Sequence, residues 1–335
     1  MKTLLKTILS AFLWIFTLTC LAEGGFRTAV FYRYLNELGH YYHDLLVYDR
    51  TKPYQIRMRP NTARKRATPN GGSPWEYRIN ALGFRGPAPD LNGGEAGRIL
   101  VLGDSAAFGW AVNDNQNFPS LLGELLRKKG IHASVFNAGV PGFSTVQEAQ
   151  LVKDVFPAAM PRVVALAYAV NDAEPQQMLP LAPRLRYRGN LLWSVTALKR
   201  KLSPPEARVD YNEGFKPGSW KGKASKKALE QINRYAKQHA AVLVVFILPD
   251  FTQPFDASYP YRGIHRAVAE WGKELGIPVF DLLPYFEGKV HTHFAVSGDG
   301  HPNPLAHRAI AGAMVKRLRP YLEPRAPQSR DVPQA

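Results

Sequence analysis

From Arg98 onward, short apolar runs alternate with amphipathic segments. Five apolar runs predict buried strands: RILVLG (98–103), ASVFNAG (133–139), RVVALAYAVND (162–172), AVLVVFILP (241–249) and PVFDLL (278–283). Segments with apolar residues at helical spacing follow or separate them, near 117–130, 144–156, 227–240, 261–276 and 304–322. Continuous apolar strands separated by such helices are typical of a sheet covered on both faces. We therefore predict an α/β protein, a three-layer α/β/α sandwich around a five-stranded, mainly parallel sheet.

The N-terminus has a different pattern. Lys2 and Lys6 precede the apolar run TILSAFLWIFTLTCLA, residues 7–22. A positive start and a short apolar run are typical of an export signal, and small residues at Cys20 and Ala22 allow cleavage before Glu23. The same run is nearly long enough to span a bilayer. Both interpretations export the rest of the chain, either free in the periplasm or outside the cell, or anchored to the inner membrane.

These patterns divide the chain into four predicted parts. Residues 1–22 are the signal peptide or membrane anchor, and residues 23–95 are an extension made of one helix followed by loops and short strands. Residues 96–320 form the α/β domain, and the polar tail 321–335 is predicted to be disordered. Residues 173–222, rich in proline, interrupt the alternation. An insertion of this length is either a substrate lid, a membrane-facing flap or a variable loop.

Charge narrows the class of partner. The chain has 43 Lys and Arg against 27 Asp and Glu, a net charge of +16, which favours anionic partners such as lipid headgroups or acidic polysaccharide. The basic clusters are not interleaved with aromatic residues as in a nucleic-acid-binding module, so we expect no nucleic acid partner. The single cysteine, Cys20, excludes an intrachain disulfide or a thiolate metal site. No feature requires a cofactor, and the oligomeric state is not predicted.

Candidate chemistry lies at the strand ends. Ser105 follows the first strand in the tripeptide Gly-Asp-Ser, and Asn171 lies at the end of the run that predicts the third strand. Gly142 lies in the loop after the second strand, where the absent side chain lets a ligand approach its N–H. His301, with Asp299 two residues earlier, precedes the last helix. Parallel sheets bind ligands beyond the carboxyl ends of their strands, so we expect these residues to lie together.

Four short motifs in this order resemble the SGNH hydrolases, also called the GDSL esterase and lipase superfamily. The resemblance covers residues 98–318 and is carried by GDS at Ser105, NAGVPG at Gly142, VND at Asn171, and DGHPN at Asp299 and His301. The segment YRINALGFRGP, residues 77–87, is similar to the lead-in of an exported, anchored bacterial subset, some of whose members modify acylated polysaccharide.

The resemblance implies a flavodoxin-like SGNH fold and a role for each motif. Ser105 would be the nucleophile, and His301 the general base, held by Asp299. The N–H groups of Ser105 and Gly142 and the side chain of Asn171 would form the oxyanion hole.

The sequence departs from the pattern of this family at two points. Ala169 stands where the family usually has a glycine. The family usually separates acid and base by two residues, whereas only Gly300 separates Asp299 from His301, and Gly298 occupies the expected acid position. Either the loop adjusts, or a Ser–His dyad works with a backbone carbonyl in place of Asp299.

The sequence therefore predicts a serine esterase of the cell envelope that removes acyl groups, acetyl among them, from a polysaccharide or lipid. Two alternatives remain open: an O-acyltransferase that uses the same acyl-enzyme, and a non-catalytic envelope protein that binds glycan. A metal site is a weaker hypothesis. The His-x-His pair, taken as part of a strand, would supply only two ligands. The candidate ligands are His291, His293, Asp299, His301 and His307.

Overall fold

The computed structural model describes residues 2–42, 45–49, 51–52, 56–66, 74–88, 97–174, 192–202 and 210–322. The chain forms two compact units. The predicted tail and most of the predicted insertion lie outside the described residues. The predicted boundaries at residues 22, 95 and 320 stay predictions.

The smaller unit contains two helices, α1 (Lys2–Tyr42) and α5 (Trp193–Leu202). The apolar side chains of α1 between Leu4 and Leu21 are exposed. Among the described residues, one helix is long and apolar enough to cross a membrane, and its candidate span is Thr3–Tyr32. An apolar N-terminal helix of this kind is compatible with either a signal peptide or an anchor.

The larger unit is built on the predicted sheet. Its strands are β5 (Arg98–Gly103), β6 (Ser134–Asn137), β7 (Val163–Tyr168), β8 (Val242–Ile247) and β9 (Val279–Asp281). They are all parallel, in the order β6-β5-β7-β8-β9. Every residue of β7 is buried, as expected for a central strand covered on both faces.

The helices of this unit cover the sheet. They are α2 (Ser105–Phe108), α3 (Phe118–Lys128), α4 (Thr145–Ala159), α6 (Trp220–Gln238), α7 (Arg262–Leu275) and α8 (Pro304–Leu322). Helix α3 packs with α8, while α4 packs with α6. The predicted three-layer α/β/α fold with a five-stranded parallel sheet is confirmed.

Two short antiparallel hairpins precede the sheet within the larger unit. Strand β1 (Leu46–Tyr48) pairs with β2 (Ile56–Met58), and β3 (Thr62–Arg66) pairs with β4 (Trp75–Ile79). Arg85 then forms isolated bridges to both Ile79 and Asn137. The chain after β4 therefore joins the edge of the sheet beside β6, which sequence patterns did not show.

Candidate active site

Ser105 and His301 meet at the carboxyl end of the sheet although 196 positions separate them. Ser105 begins α2 directly after β5, and His301 lies in the loop before α8. Ser105 Oγ lies 2.8 Å from His301 Nε2. A serine hydroxyl at this distance can donate its hydrogen to a neutral imidazole.

The other ring nitrogen of His301 faces Asp299. His301 Nδ1 and Asp299 Oδ1 form a short contact, and the backbone N–H of His301 donates to the same carboxylate oxygen at 3.2 Å. Gly300 makes this possible with only one intervening residue, because its φ of +85° folds the chain back on itself. The described geometry is that of a serine, an imidazole and a carboxylate hydrogen-bonded in series.

The carboxylate of Asp299 is held in its ionised form. Partial burial raises the pKa of Asp299, but hydrogen bonds from His301 and from the Trp110 side chain, with the charge of His301, outweigh it, so the net pKa lies below the ordinary value. The Trp110 ring also lies 6.2 Å from the His301 ring, centroid to centroid. The sequence did not indicate this role for Trp110, because Trp110 follows the Gly-Asp-Ser tripeptide and lies in none of the four motifs.

A second histidine–carboxylate pair supports the loop that carries Asp299. His265 Nδ1 lies 2.7 Å from Asp281 Oδ1, and His265 Nε2 lies 3.3 Å from the hydroxyl of Tyr259. That hydroxyl accepts the backbone N–H of Asp250 at 2.8 Å. Two residues later, Thr252 packs directly against Gly300. The network fixes the surface on which the 298–301 turn rests.

The three predicted oxyanion donors lie at the same sheet edge, Ser105 at the start of α2 and the other two on loops. The N–H of Val140 donates to the carbonyl of Gly103 at 3.0 Å, which holds the Gly142 loop beside the end of β5. Gly142 has a φ of +75°, a conformation that glycine adopts without strain. Asn171 follows β7, the other neighbour of β5 in the sheet.

Asp104 explains why the first strand ends on an acid. Its carboxylate accepts the N–H of Ala106 at 2.8 Å and so caps α2, and it also accepts a hydrogen bond from the Asn171 side chain. The second contact orients the amide, because only the NH₂ group can donate to a carboxylate. No pattern in the sequence indicated this role of Asp104.

Two further buried acids interact electrostatically with Asp104. Glu148 on α4 and Asp172 after β7 are fully buried, and no hydrogen bond reaches either Glu148 carboxylate oxygen within the described part of the chain. Burial first, and then the neighbouring charge of Asp104, raises the pKa of Glu148 well above its ordinary value. The pKa of Asp172 is also raised well above its ordinary value, mainly by burial and then by the charges of Glu148 and Asp104. Three ionised carboxylates buried side by side would repel one another, so Asp104, Glu148 and Asp172 together carry fewer than three negative charges.

Arg85 binds the C-terminal end of α2, the helix that begins with Ser105. Its guanidinium, fully buried, donates to the carbonyls of Phe108 (2.6 Å), Gly109 and Val112 (2.6 Å) and pairs with Asp114 at 3.0 Å. The carbonyls at a helix C-terminus lack intrahelical partners, and a cation is a favourable one. Arg85 belongs to the YRINALGFRGP segment, whose structural role the sequence did not predict.

The predicted metal hypothesis gains no support. His291 and His293 lie in a 3₁₀ turn, so their assignment to a strand was wrong. The Nδ1 atom of His307 accepts the N–H of Phe118 at 3.1 Å, and burial, with the charges of Arg85 and His301, lowers the pKa of His307 to about 3. Over the described ranges, no cluster of three or more His, Cys, Asp or Glu side chains could hold a metal ion.

A parallel α/β/α sheet with this serine–imidazole–carboxylate series at its carboxyl edge defines a class of ester-bond hydrolases. Within that class, the chain belongs to the GDSL-like lipase/acylhydrolase family, whose family model matches residues 101–309. The protein is therefore a hydrolase of ester bonds. No curated protein matches the sequence.

Several solved structures are similar to the chain at low identity. The esterase EstA from Pseudoalteromonas is 13% identical, with 67% of this chain and 98% of that chain covered and a TM-score of 0.44. A variant of the acetyl-xylooligosaccharide esterase Axe2 from Geobacillus is 15% identical, with coverages of 68% and 97% and a TM-score of 0.44. A lipase/acylhydrolase from Enterococcus faecalis is 17% identical, with coverages of 69% and 99% and a TM-score of 0.44.

Proposed function

We propose that this chain is a serine esterase of the cell envelope that removes acyl groups, acetyl among them, from a polysaccharide or lipid. The observation that carries the proposal is the hydrogen-bonded series from Ser105 Oγ through His301 to Asp299. A hydroxyl activated by an oriented base is what attack on an ester carbonyl requires.

In the acylation step, Ser105 Oγ attacks the ester carbonyl carbon while His301 Nε2 takes the hydroxyl proton. The carbonyl oxygen becomes an oxyanion, stabilised by the N–H groups of Ser105 and Gly142 and by the Asn171 amide. Collapse of the tetrahedral intermediate breaks the ester C–O bond, and His301 returns the proton to the departing alcohol. Asp299 stabilises the imidazolium throughout.

In the second step, water replaces the alcohol. His301 takes a proton from water, the hydroxide attacks the acyl-enzyme, and Ser105 recovers its proton as the free acid leaves. Asp104 contributes indirectly, since its hydrogen bond to Asn171 presents an N–H rather than a carbonyl oxygen to the oxyanion.

The envelope location and the substrate class rest on three features. An apolar N-terminal helix begins with two lysines, which is the pattern of an exported or anchored chain. The net charge of +16 favours acidic glycans and anionic lipid headgroups as partners. The family to which the chain belongs acts on acyl esters.

Replacement of the nucleophile tests the proposal. We expect Ser105→Ala to lower kcat on a short-chain ester and on an acetylated glycan by about 10⁴-fold or more, because no other described group replaces the attacking oxygen. Glycan binding should be unchanged, since the substitution removes only one atom. Steady-state kinetics and equilibrium binding measure the two effects.

Ser120→Ala, on α3 away from the site, is the matched control and should keep full activity. Retention of turnover by Ser105→Ala would contradict the proposed nucleophile. Release of acylated sugar rather than free acid, when a sugar acceptor is supplied, would identify an acyltransferase instead of an esterase.

A further inference from the structure

The two helices of the smaller unit are joined by a buried carboxylate. Glu23, 7% exposed, accepts the backbone N–H of Trp193 at 2.7 Å and the backbone N–H and hydroxyl of Ser194 at 3.1 and 2.6 Å. These are the orphan donors at the start of α5, so a residue of α1 caps α5. Arg27 pairs with Glu23 at 2.8 Å, and its guanidinium lies 4.9 Å from the centre of the Trp193 ring.

This connection lies where the apolar run of α1 ends. Residues 3–22 carry most of the exposed apolar side chains of α1 and one charged residue, Lys6, and Glu23 is the next charged residue along the helix. Exposed Phe31 and Tyr32 lie beyond it, within the candidate span Thr3–Tyr32. Twenty helical residues span about 30 Å, the thickness of the hydrocarbon core of a bilayer. If residues 3–22 are the part of α1 that crosses a membrane, Glu23 is at the boundary between hydrocarbon and headgroups, and so is the first turn of α5.

Helix α5 has an apolar side that nothing in the described structure covers. Trp193, Thr196 and Ala197 are half-buried, whereas Val195 is 42% and Leu198 is 56% exposed. Val195 and Leu198 are three residues apart and so share one side of the helix. The sequence continues with Lys199-Arg200-Lys201. An exposed apolar side followed by a basic cluster is typical of a helix that lies in a membrane interface.

The distance along α5 is consistent with this location. Leu198 follows Trp193 by five residues, so it lies at most about 8 Å along the helix axis from the Glu23 connection. The headgroup layer on one side of a bilayer is of similar thickness, about 5–8 Å. Leu198 thus stays within reach of the interface whichever direction α5 takes from α1.

We propose that α5 is an interfacial helix that binds the anionic headgroups of the bilayer around the point where α1 emerges. Val195 and Leu198 insert among the acyl-chain ends, and the positive charge of the sequence that follows attracts acidic lipid phosphates. This inference rests on the proposed membrane anchoring by α1, and adds a second, lipid-selective contact to it.

A fluorescent probe at position 198 tests the proposal in the full chain. Leu198→Cys in a Cys20→Ser background is labelled with an environment-sensitive dye and reconstituted into phosphatidylcholine vesicles with or without phosphatidylglycerol. Nitroxide-labelled lipid quenches dyes near the headgroups. Met160→Cys is the control, since Met160 is 62% exposed, against 56% for Leu198, and lies directly after α4 in the larger unit. Flotation of the vesicles reports anchoring by α1 separately.

We expect quenching at position 198 to exceed that at position 160, and to rise about twofold or more when phosphatidylglycerol is present. Raising salt from 0.1 to 1 M should reverse the rise, since the screening length falls from about 10 to about 3 Å. Glu23→Ala, which removes the connection, and replacement of residues 199–201 by glutamine should each reduce quenching while flotation is unchanged.

Each contrary outcome has a distinct meaning. A chain that does not float with vesicles overturns both the anchor and the interfacial helix. A chain that floats with equal quenching at positions 198 and 160 overturns the interfacial helix and leaves the anchor standing. A spectral shift at position 198 that depends on protein density and not on nitroxide lipid identifies a second copy as the occupant, which also overturns the proposal.

Discussion

At the scale of single residues, Gly300 allows the short spacing between Asp299 and His301. Its φ of +85° is in the left-handed region, and a Cβ at this position would lie 2.4 Å from Thr252 Cγ2. Threonine is stiff at χ1 and cannot easily move away. The departure from the usual family spacing is therefore accommodated by one residue that has no side chain.

We expect Gly300→Ala to lower kcat/KM by about tenfold or more. An added Cβ displaces the 299–301 turn, and this moves the His301 imidazole away from Ser105 by a fraction of an ångström. Gly276→Ala is the matched control, since Gly276 has a φ of +62° and open space around it. Both variants should lose about 1–2 kcal/mol of stability from left-handed strain. Equal kcat/KM values in the two variants would contradict this role of Gly300.

Glu148 links stability to pH in an unusual direction. The pKa of Glu148 in the folded protein is well above its ordinary value of 4.5, so the native state holds a proton that the unfolded chain releases. The unfolding free energy contributed by this group therefore falls as pH rises from 4.5 toward the native pKa, by up to about 1.4 kcal/mol per pH unit.

Glu148→Gln should weaken this pH dependence without abolishing it, because the pKa of Asp172 is raised as well. We expect the variant to gain stability relative to the unmodified protein as pH increases from 5 to 8, measured by urea unfolding at each pH. Glu230→Gln, exposed on α6, should follow the unmodified protein across the series. Parallel curves for Glu148→Gln and the unmodified protein would show that Glu148 does not carry the buried proton.

At the scale of elements, the four-residue helix α2 is too short to be stable by itself. Asp104 caps its start, and Arg85 binds the carbonyls at its end. Arg85 comes from the segment between β4 and β5, so this segment helps to position the candidate nucleophile. The region that resembles a lead-in therefore contacts the helix that begins with Ser105.

We expect Arg85→Met to lower the unfolding free energy by about 3–5 kcal/mol, because Asp114 and three carbonyls lose a buried cation. Arg85→Lys should recover little of this, since an ammonium cannot reach several carbonyls in the same geometry as a guanidinium. Arg78→Met is the control: Arg78 contacts the same Asp114 at 3.7 Å but is 64% exposed, and its loss should cost about 0.5 kcal/mol or less.

Thermal unfolding and activity of the three variants measure the effect. Arg85→Lys should also show reduced kcat at temperatures where it is fully folded, because α2 carries Ser105. An Arg85→Lys enzyme with unchanged kcat would limit Arg85 to a role in stability.

At the scale of the whole molecule, the net charge of +16 should influence which substrates approach. A positive field attracts anionic glycans and has no effect on a neutral ester. We expect kcat/KM for an acidic acetylated polysaccharide to fall by about tenfold or more as salt increases from 0.01 to 1 M, over which the screening length falls from about 30 to about 3 Å. Hydrolysis of a neutral aryl acetate should be insensitive to salt, and an equal response of both substrates would contradict electrostatic attraction.

The sequence by itself determined the sheet and the location of the candidate site. Runs such as 99–102 and 163–168 are apolar at every position, and their short length between amphipathic helices favours strands covered on both faces. Ser105 and Asn171 then had to lie at one edge because parallel strands end together. The candidate nucleophile and base could be chosen from the chain for the same reason, with help from the resemblance to a known family.

The groups that contact and position the candidate site are apparent only from the packing of the folded chain. Arg85 contacts residues 108–114, Glu148 lies beside Asp104, and Thr252 contacts Gly300, and none of these pairs has a local signature in the chain. The contact between Asp299 and His301 depended in the same way on the φ of one glycine. Hydrophobic periodicity reports burial along one segment, whereas these contacts depend on how segments far apart in sequence pack together.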